Sequence, residues 1–283
     1  MFTLAKRNIL IYFRDKMGVF FSLLSVLIVI ALFVLFLGDN LTTHYEHMVE
    51  DAAILINNWV FAGILGVTTV TTTLGAFSVM MNDKVHEVNK DFYISPIKKS
   101  RIVAGYALSA FFVGSLMSMI IFIILTLYSA LIGDHVMSIF NMLRVIGVLL
   151  LSVMLNAFML FFFTTFIKTS QAFNAISTMM GTLIGFLMGI YVPIGTLPTP
   201  VQRFIQFFPQ SHTTLLFRQF FLAGIAEDAF PATEYAQYFR ESMGVVYVIN
   251  DYQFTRLDSL LILGAAALCF LILSIWRVSK RHR

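Results

Sequence analysis

His44 and His47 lie three residues apart beside Glu46 and Glu50, so two imidazoles could share one helix face as ligands to a divalent metal. No third ligand follows at a characteristic spacing, and a bare pair fits solvated loop residues better than a metal centre; no metal site is assigned. Thr68, Thr69, Thr71, Thr72 and Thr73 crowd five hydroxyls into six positions. They could line a polar translocation surface, or they could hydrogen-bond within and between membrane helices, and the spacing leaves both readings open. Asn57, Asn156 and Asn174 share that ambiguity; Asn57, Thr68, Thr72 and Asn174 form the candidate substrate pathway. Phe161-Phe162-Phe163 and Met179-Met180 fit a lipid-facing or core role before a ligand-binding one, although Met suits promiscuous surfaces. The single cysteine, Cys269, excludes an internal disulfide framework, and its apolar surroundings predict a small buried hydrophobe.

Other chemistry is missing. The sequence carries no G-x-x-x-x-G-K-[ST] phosphate loop, so this chain is not expected to bind ATP itself. Clustered carboxylates or histidines of the kind a membrane-embedded hydrolase needs are also not found, and the chain is not expected to be an enzyme or to carry a cofactor.

The elements that must position these groups follow from composition. Of the 283 residues, 59% are hydrophobic and 12% charged, against about 45–50% and about 25% in soluble domains. A soluble fold could not hide so much apolar surface behind so few charges, and thirty Phe with fifteen Met exclude disorder. Six charge-free windows, 17–38, 52–82, 102–133, 145–167, 169–202 and 259–276, each approach or exceed the length needed to cross the hydrocarbon. None contains Asp, Glu, Lys, Arg or His, whereas an ion-coupled transporter usually keeps one such group in its bundle. The first window lacks a small-x-small cleavage site and is predicted to be retained.

Six spans put both termini on one side of the membrane. Fourteen of the 19 Lys and Arg residues fall on the terminal side and five on the other, which places both termini in the cytoplasm and accounts for the net charge of +4 without nucleic acid. Residues 1–16 space Phe2, Ala5, Ile9, Tyr12 and Phe13 as an amphipathic helix on the inner surface. The cytoplasmic loop 83–99 is predicted to hold a helix with Val85, Val88 and Phe92 on one face, ended by Ser95-Pro96. The outer region 192–256 contains Pro193, Pro198, Pro200, Pro209 and Pro231 between short, broken apolar pieces. Such pieces enter a bilayer only where protein covers them or they line a cavity. The expectation is therefore all-α: one polytopic membrane domain over 1–283, with six transmembrane helices, an N-terminal amphipathic helix and short re-entrant outer helices before the last span.

Three stretches, in this order, resemble the ABC-2 type permeases, the membrane subunits of bacterial ABC exporters. They are the basic start from Lys6-Arg7-Asn8 to Asp15-Lys16, EVNKDFYISPI at 87–97, and PIGTLPTPVQRFIQFFP at 193–209. The resemblance implies a connecting helix at the amino end and a coupling helix that docks on an ATPase subunit. Val85, Glu87, Val88, Lys90, Asp91, Phe92, Ser95 and Pro96 would form that coupling region. It also implies an outer gate at Pro193, Leu197, Pro198 and Pro209. Many family members have a Glu-x-Gly turn at the start of the loop, where this chain has Asp83-Lys84-Val85-His86-Glu87. The resemblance implies two ATPase copies that bind ATP and Mg, and a second permease chain, identical or homologous, in the inner membrane of a bacterium and in contact with its lipids. The cargo would be an amphiphilic or lipid-like compound such as a drug, an antimicrobial peptide or a glycolipid. The alternative is a non-transporting membrane scaffold or immunity protein that binds a partner.

Overall fold

The computed structural model describes residues 1–32, 42–43, 45, 49, 52–88, 91–92, 98–134, 136–225, 229–230 and 233–280. His44, Glu46, His47, Glu50, Lys90, Ser95 and Pro96 lie outside the described residues. The described chain is helical apart from a two-stranded hairpin, Val248–Ile249 (β1) paired antiparallel with Tyr252–Gln253 (β2). Four helices are long and apolar enough to cross a membrane. These are α3 (Ala52–Val85), α4 (Lys99–Leu131), α5 (Ile139–Thr164) and α10 (Arg256–Lys280). They correspond to the second, third, fourth and sixth predicted windows.

The remaining windows give shorter helices. The described part of α2 (Lys16–Leu32) has 17 residues, and α6 (Ser170–Leu187) has 18. Helix α1 (Phe2–Arg14) precedes α2 and buries Ala5, Asn8 and Tyr12 against α3 and α4, while Phe2 and Leu10 stay exposed. Among the described residues of the outer region, a short 3-10 turn at Ile194–Thr196 leads into α7 (Thr199–Phe207), α8 (Pro209–Phe221) and α9 (Thr233–Ser242). Pro200 and Pro209 sit in the first turns of α7 and α8, where a missing N–H costs nothing.

Helix α3 is the centre of the bundle, touching α1, α2, α4, α5, α6 and α8. Its 34 residues rise about 51 Å, so its end at Asp83 and Lys84 can extend past a hydrocarbon core of about 30 Å. One core, around Trp59, Leu149, Leu216, Phe221 and Tyr247, fills the half nearer the outer region. A second, around Tyr12, Phe77, Tyr106 and Phe161, fills the half nearer the amino terminus. Helix α10 packs on α5, α8 and α4 and turns Leu261, Leu268 and Ile272 outward. Cys269 is exposed on the same helix, contrary to the expected burial, because a peripheral span shows most of its apolar surface to lipid rather than protein.

Candidate functional site

A cavity of about 660 Å³ lies between α2, α3 and α6, with Tyr12 of α1 at one end and Tyr191 at the other. Helix α3 contributes Thr71, Gly75, Ser78 and Asn82, steps of four and three that make one helix face. Helix α6 answers with Asn174, Ser177, Thr178, Gly181 and Thr182. Phe21 and Val26 of α2 form an apolar wall. The result is a cleft with hydroxyls and amides on two sides, set among Val67, Leu74, Val79 and Phe173, and an apolar third side. Thr178 and Thr182 donate to their own helix at 3.0 and 3.1 Å, but the Ser177 hydroxyl is buried with no partner among the described residues. At one mouth the Tyr12 and Ser22 hydroxyls are 3.0 Å apart. At the other, Tyr191 packs edge-on against Phe186 and closely over Gly185.

The four expected pathway residues are not brought together. Asn174 lines the cleft, whereas Thr68 and Thr72 do not; both are fully buried and donate to Ile64 O and Thr68 O at 2.7 Å. Thr72 also meets Ser118, and Thr69 meets Ser152. Asn57 sits away from the cleft and donates to Asp134, as does Asn58. The threonine run therefore faces several ways, and Thr71 is its member at the cleft. The stripe Thr71-Gly75-Ser78-Asn82 was present in the sequence as a helical repeat, hidden by denser neighbours.

The outer region folds back into the bundle. Helix α8 packs on α3, α5 and α10, and Gln210, Ser211, His212, Thr213, Thr214 and Arg218 are all fully buried. Gln210 donates to Asn156, and Thr213 to Ser152, so α8 is stitched to α5. His212 bonds Ser259 of α10 at 3.1 Å and Gln206 O at 2.9 Å. Arg218 donates to Met188 O and Gly189 O at 3.0 and 2.9 Å, and its guanidinium lies 4.4 Å from the Trp59 ring centroid. Trp59 in turn donates to Met243 O at 2.7 Å. The turn that ends α6 is thus held by a buried cation. Gly189 there adopts φ +64, a left-handed backbone that favours glycine.

These groups escaped the charge-free-window argument because Arg218, His212 and Asp134 come from outside the windows and fold inward. Of the expected gate residues, Pro193 caps the 3-10 turn and Pro209 opens α8, both half-buried. Leu197 packs on the outer core and Pro198 is exposed. Gln202 braces this stretch by donating to Leu197 O at 2.8 Å.

The end of the bundle nearer the amino terminus carries a joint. Arg7 of α1 donates to both Asp83 carboxylate oxygens at 2.5 and 2.8 Å, and Tyr106 of α4 donates to Asp83 at 2.6 Å. The hydrogen bond to Asp83 raises the Arg7 guanidinium above its usual range, with burial opposing and the Asp83 charge adding to it. Lys84 reaches across to the carbonyls of Thr164 and Ile167 at the end of α5.

The expected one-face helix through Val85, Val88 and Phe92 is interrupted. Helix α3 ends at Val85, and Glu87 takes φ 61. Val85 is exposed at the end of α3, and beyond the turn Phe92 packs back on the core around Tyr12 and Tyr106, beneath Arg7, 5.8 Å from ring centroid to guanidinium. Glu87 and Asp91 are exposed and Val88 is half-buried. No group of three or more His, Cys, Asp or Glu residues suited to a metal occurs among the described residues.

Several apolar helices of membrane-crossing length, packed around a central one, define a multi-pass membrane protein. The model of the family described as ABC-2 family transporter protein matches residues 52–276, and the chain belongs to that family. It is a permease of an ABC transporter, associates with an ABC ATPase, and comes from a family of transport subunits that are generally not catalytic. The match begins at the start of α3, so the basic amino-terminal stretch lies outside it. Comparison with curated proteins gives no match.

Proposed function

We propose that the chain is the permease half of a bacterial exporter that moves an amphiphilic or lipid-like compound outward through the cleft between α2, α3 and α6. The observation that carries this reading is the cleft itself. In a bundle whose lipid-facing surface is apolar, two polar helix faces enclose a cavity large enough for a drug-sized molecule. The apolar wall of α2 would hold the tail of such a molecule while the hydroxyls and amides of α3 and α6 meet its head.

In this reading α2, α3, α4, α5, α6 and α10 cross the inner membrane with both termini in the cytoplasm, as the distribution of basic residues suggests. Of the five basic residues assigned to the outer side, Arg218 is buried in protein, which sharpens the bias. Helix α1 lies on the inner surface, α8 re-enters from outside and is covered by protein as such membrane segments must be, and α7 leads into it with Phe204 and Phe207 exposed. The cleft's wall at α6 is thinly covered: only Phe173, Ile184 and Gly185 are buried on that helix. A second permease chain closing against it supplies the missing side. Two ATPase subunits, holding ATP and Mg, would engage the exposed Val85, Glu87 and Asp91. The joint at Arg7, Asp83 and Tyr106 would pass their motion to α1, α3 and α4.

Purifying the chain with an ATPase encoded beside its gene tests this reading. Stable co-purification that falls when 83–96 is replaced by a flexible linker is expected. Intact capture with that replacement would remove the coupling assignment.

A further inference from the structure

The cleft also carries a charge preference. Among the described residues that line it, Asp15 is the single ionisable acid or base other than tyrosine. It stands at the mouth formed by Tyr12, Ser22 and Asn82, between α1 and α2. One carboxylate oxygen accepts the Gly18 N–H at 2.9 Å, capping α2, and no ion pair to Asp15 occurs among the described residues. Its basic neighbours, Arg14 and Lys16, are exposed and do not line the cleft. Deeper in, the polar groups on the walls are all neutral hydroxyls and amides, set among apolar Val67, Leu74 and Phe173, and among the described residues the buried Ser177 hydroxyl has no partner. A buried donor-acceptor without a partner is costly and is satisfied when a ligand supplies one.

We propose, resting on the assignment of this cleft as the substrate path, that its ligand is an amphiphile carrying a positive charge: the cation meets Asp15 at the inner mouth, a polar group of the ligand meets Ser177, and the apolar body lies along Phe21 and Val26. An anionic amphiphile of the same shape finds a carboxylate at the entrance and no cation on the walls to offset it. The cleft therefore discriminates by charge. Its volume of about 660 Å³ falls within the roughly 300–1,000 Å³ of drug-sized sites.

The test uses tetraphenylphosphonium and tetraphenylborate, ions of matched shape and opposite charge, bound to the purified full chain in a neutral detergent and followed by titration calorimetry. The wild-type chain should bind the phosphonium more tightly. Asp15→Asn keeps a good helix cap while removing the charge, and should weaken the phosphonium about threefold to fivefold while leaving the borate unchanged or slightly improved. Gly181→Phe places a ring in the cleft from a position where a Cβ meets nothing within 4 Å, and should abolish the saturable binding of both ions. Equal affinity for the two ions, or an Asp15→Asn affinity equal to wild type, would overturn the charge preference. Full binding in the Gly181→Phe chain would show that the cleft is not the site. Because the titration uses the isolated chain, a failed charge preference is separable from a failed permease reading, which shows itself as no ATPase capture whatever the ions do.

Discussion

Removing the Arg7–Asp83 pair should loosen the inner end of the bundle by an amount that the geometry bounds. Asp83 is 6% exposed and Arg7 35%, so the pair lies between two regimes. Fully exposed pairs contribute about 0–1 kcal/mol, and breaking a fully buried one costs about 3–5 kcal/mol. Two charge-assisted bonds from Arg7 and one from Tyr106 converge on one carboxylate, which argues for about 2 kcal/mol of pairwise coupling rather than the lower bound. Asp83→Asn keeps the size and one acceptor; Arg7→Met keeps much of the stem that packs near Phe92. The cycle of Arg7→Met, Asp83→Asn and the double variant, unfolded reversibly in mixed micelles, measures the coupling directly. Each single variant should lose about 1–3 kcal/mol, and the double little more than the worse single. Tyr106→Phe should couple to Asp83→Asn but not to a change in the distant outer region. Additivity of the Arg7 and Asp83 effects within about 0.3 kcal/mol would refute the joint.

Glu87→Gly should stabilise the chain by about 0.5–1 kcal/mol, because glycine takes the left-handed φ of 61 without strain; a loss of stability in the same micelle assay would show that the Glu87 side chain matters more than its backbone. Arg218→Lys keeps a buried charge but loses the planar fork that serves two carbonyls, so about 1–3 kcal/mol should go from the hold on the α6 turn. A cysteine replacing Tyr191 in a Cys269→Ala background should then label at least about fivefold faster in the Lys variant, 1.4 kcal/mol being a factor of ten; unchanged labelling would mean that Arg218 does not hold that turn. Single cysteines at positions 46 and 90 should be modified from the outer and inner faces respectively, and labelling of position 90 from outside would overturn the proposed topology.

Much of the frame was legible because the bilayer imposes it. Windows free of charge foretold α3, α4, α5 and α10 since a charged side chain in hydrocarbon is expensive, and that penalty does not depend on tertiary detail. The site was less legible. Thr68, Thr69, Thr71, Thr72 and Thr73 spread over more than one helix turn, each about 100° from its neighbour in sequence, so the run faces all round the helix. Only packing against α4, α5 and α6 separates Thr71 at the cleft from Thr68 and Thr72 in the core. The polar run of α8 carried the opposite difficulty. Gln210-Ser211-His212-Thr213-Thr214 carries no apolar side chain to announce a core position, yet each side chain is buried because α5 and α10 bring Asn156, Ser152 and Ser259 to meet it. The break at Glu87 had no glycine to announce it, so a helical pattern was extended through a residue that turns left-handed.

Outward transport through the cleft requires that it open to each face in turn, and this can be measured without knowing the cargo. A cysteine at Gly181, in a Cys269→Ala chain assembled with its ATPase in sealed vesicles, is probed with a membrane-impermeant thiol reagent added to one face at a time. Without nucleotide the site should react from the cytoplasmic face, where Asp15 and Asn82 frame the mouth and Tyr191 closes the far end. With ATP and vanadate, reaction should shift to the outer face. The same reactivity from the same side in both states would contradict the account.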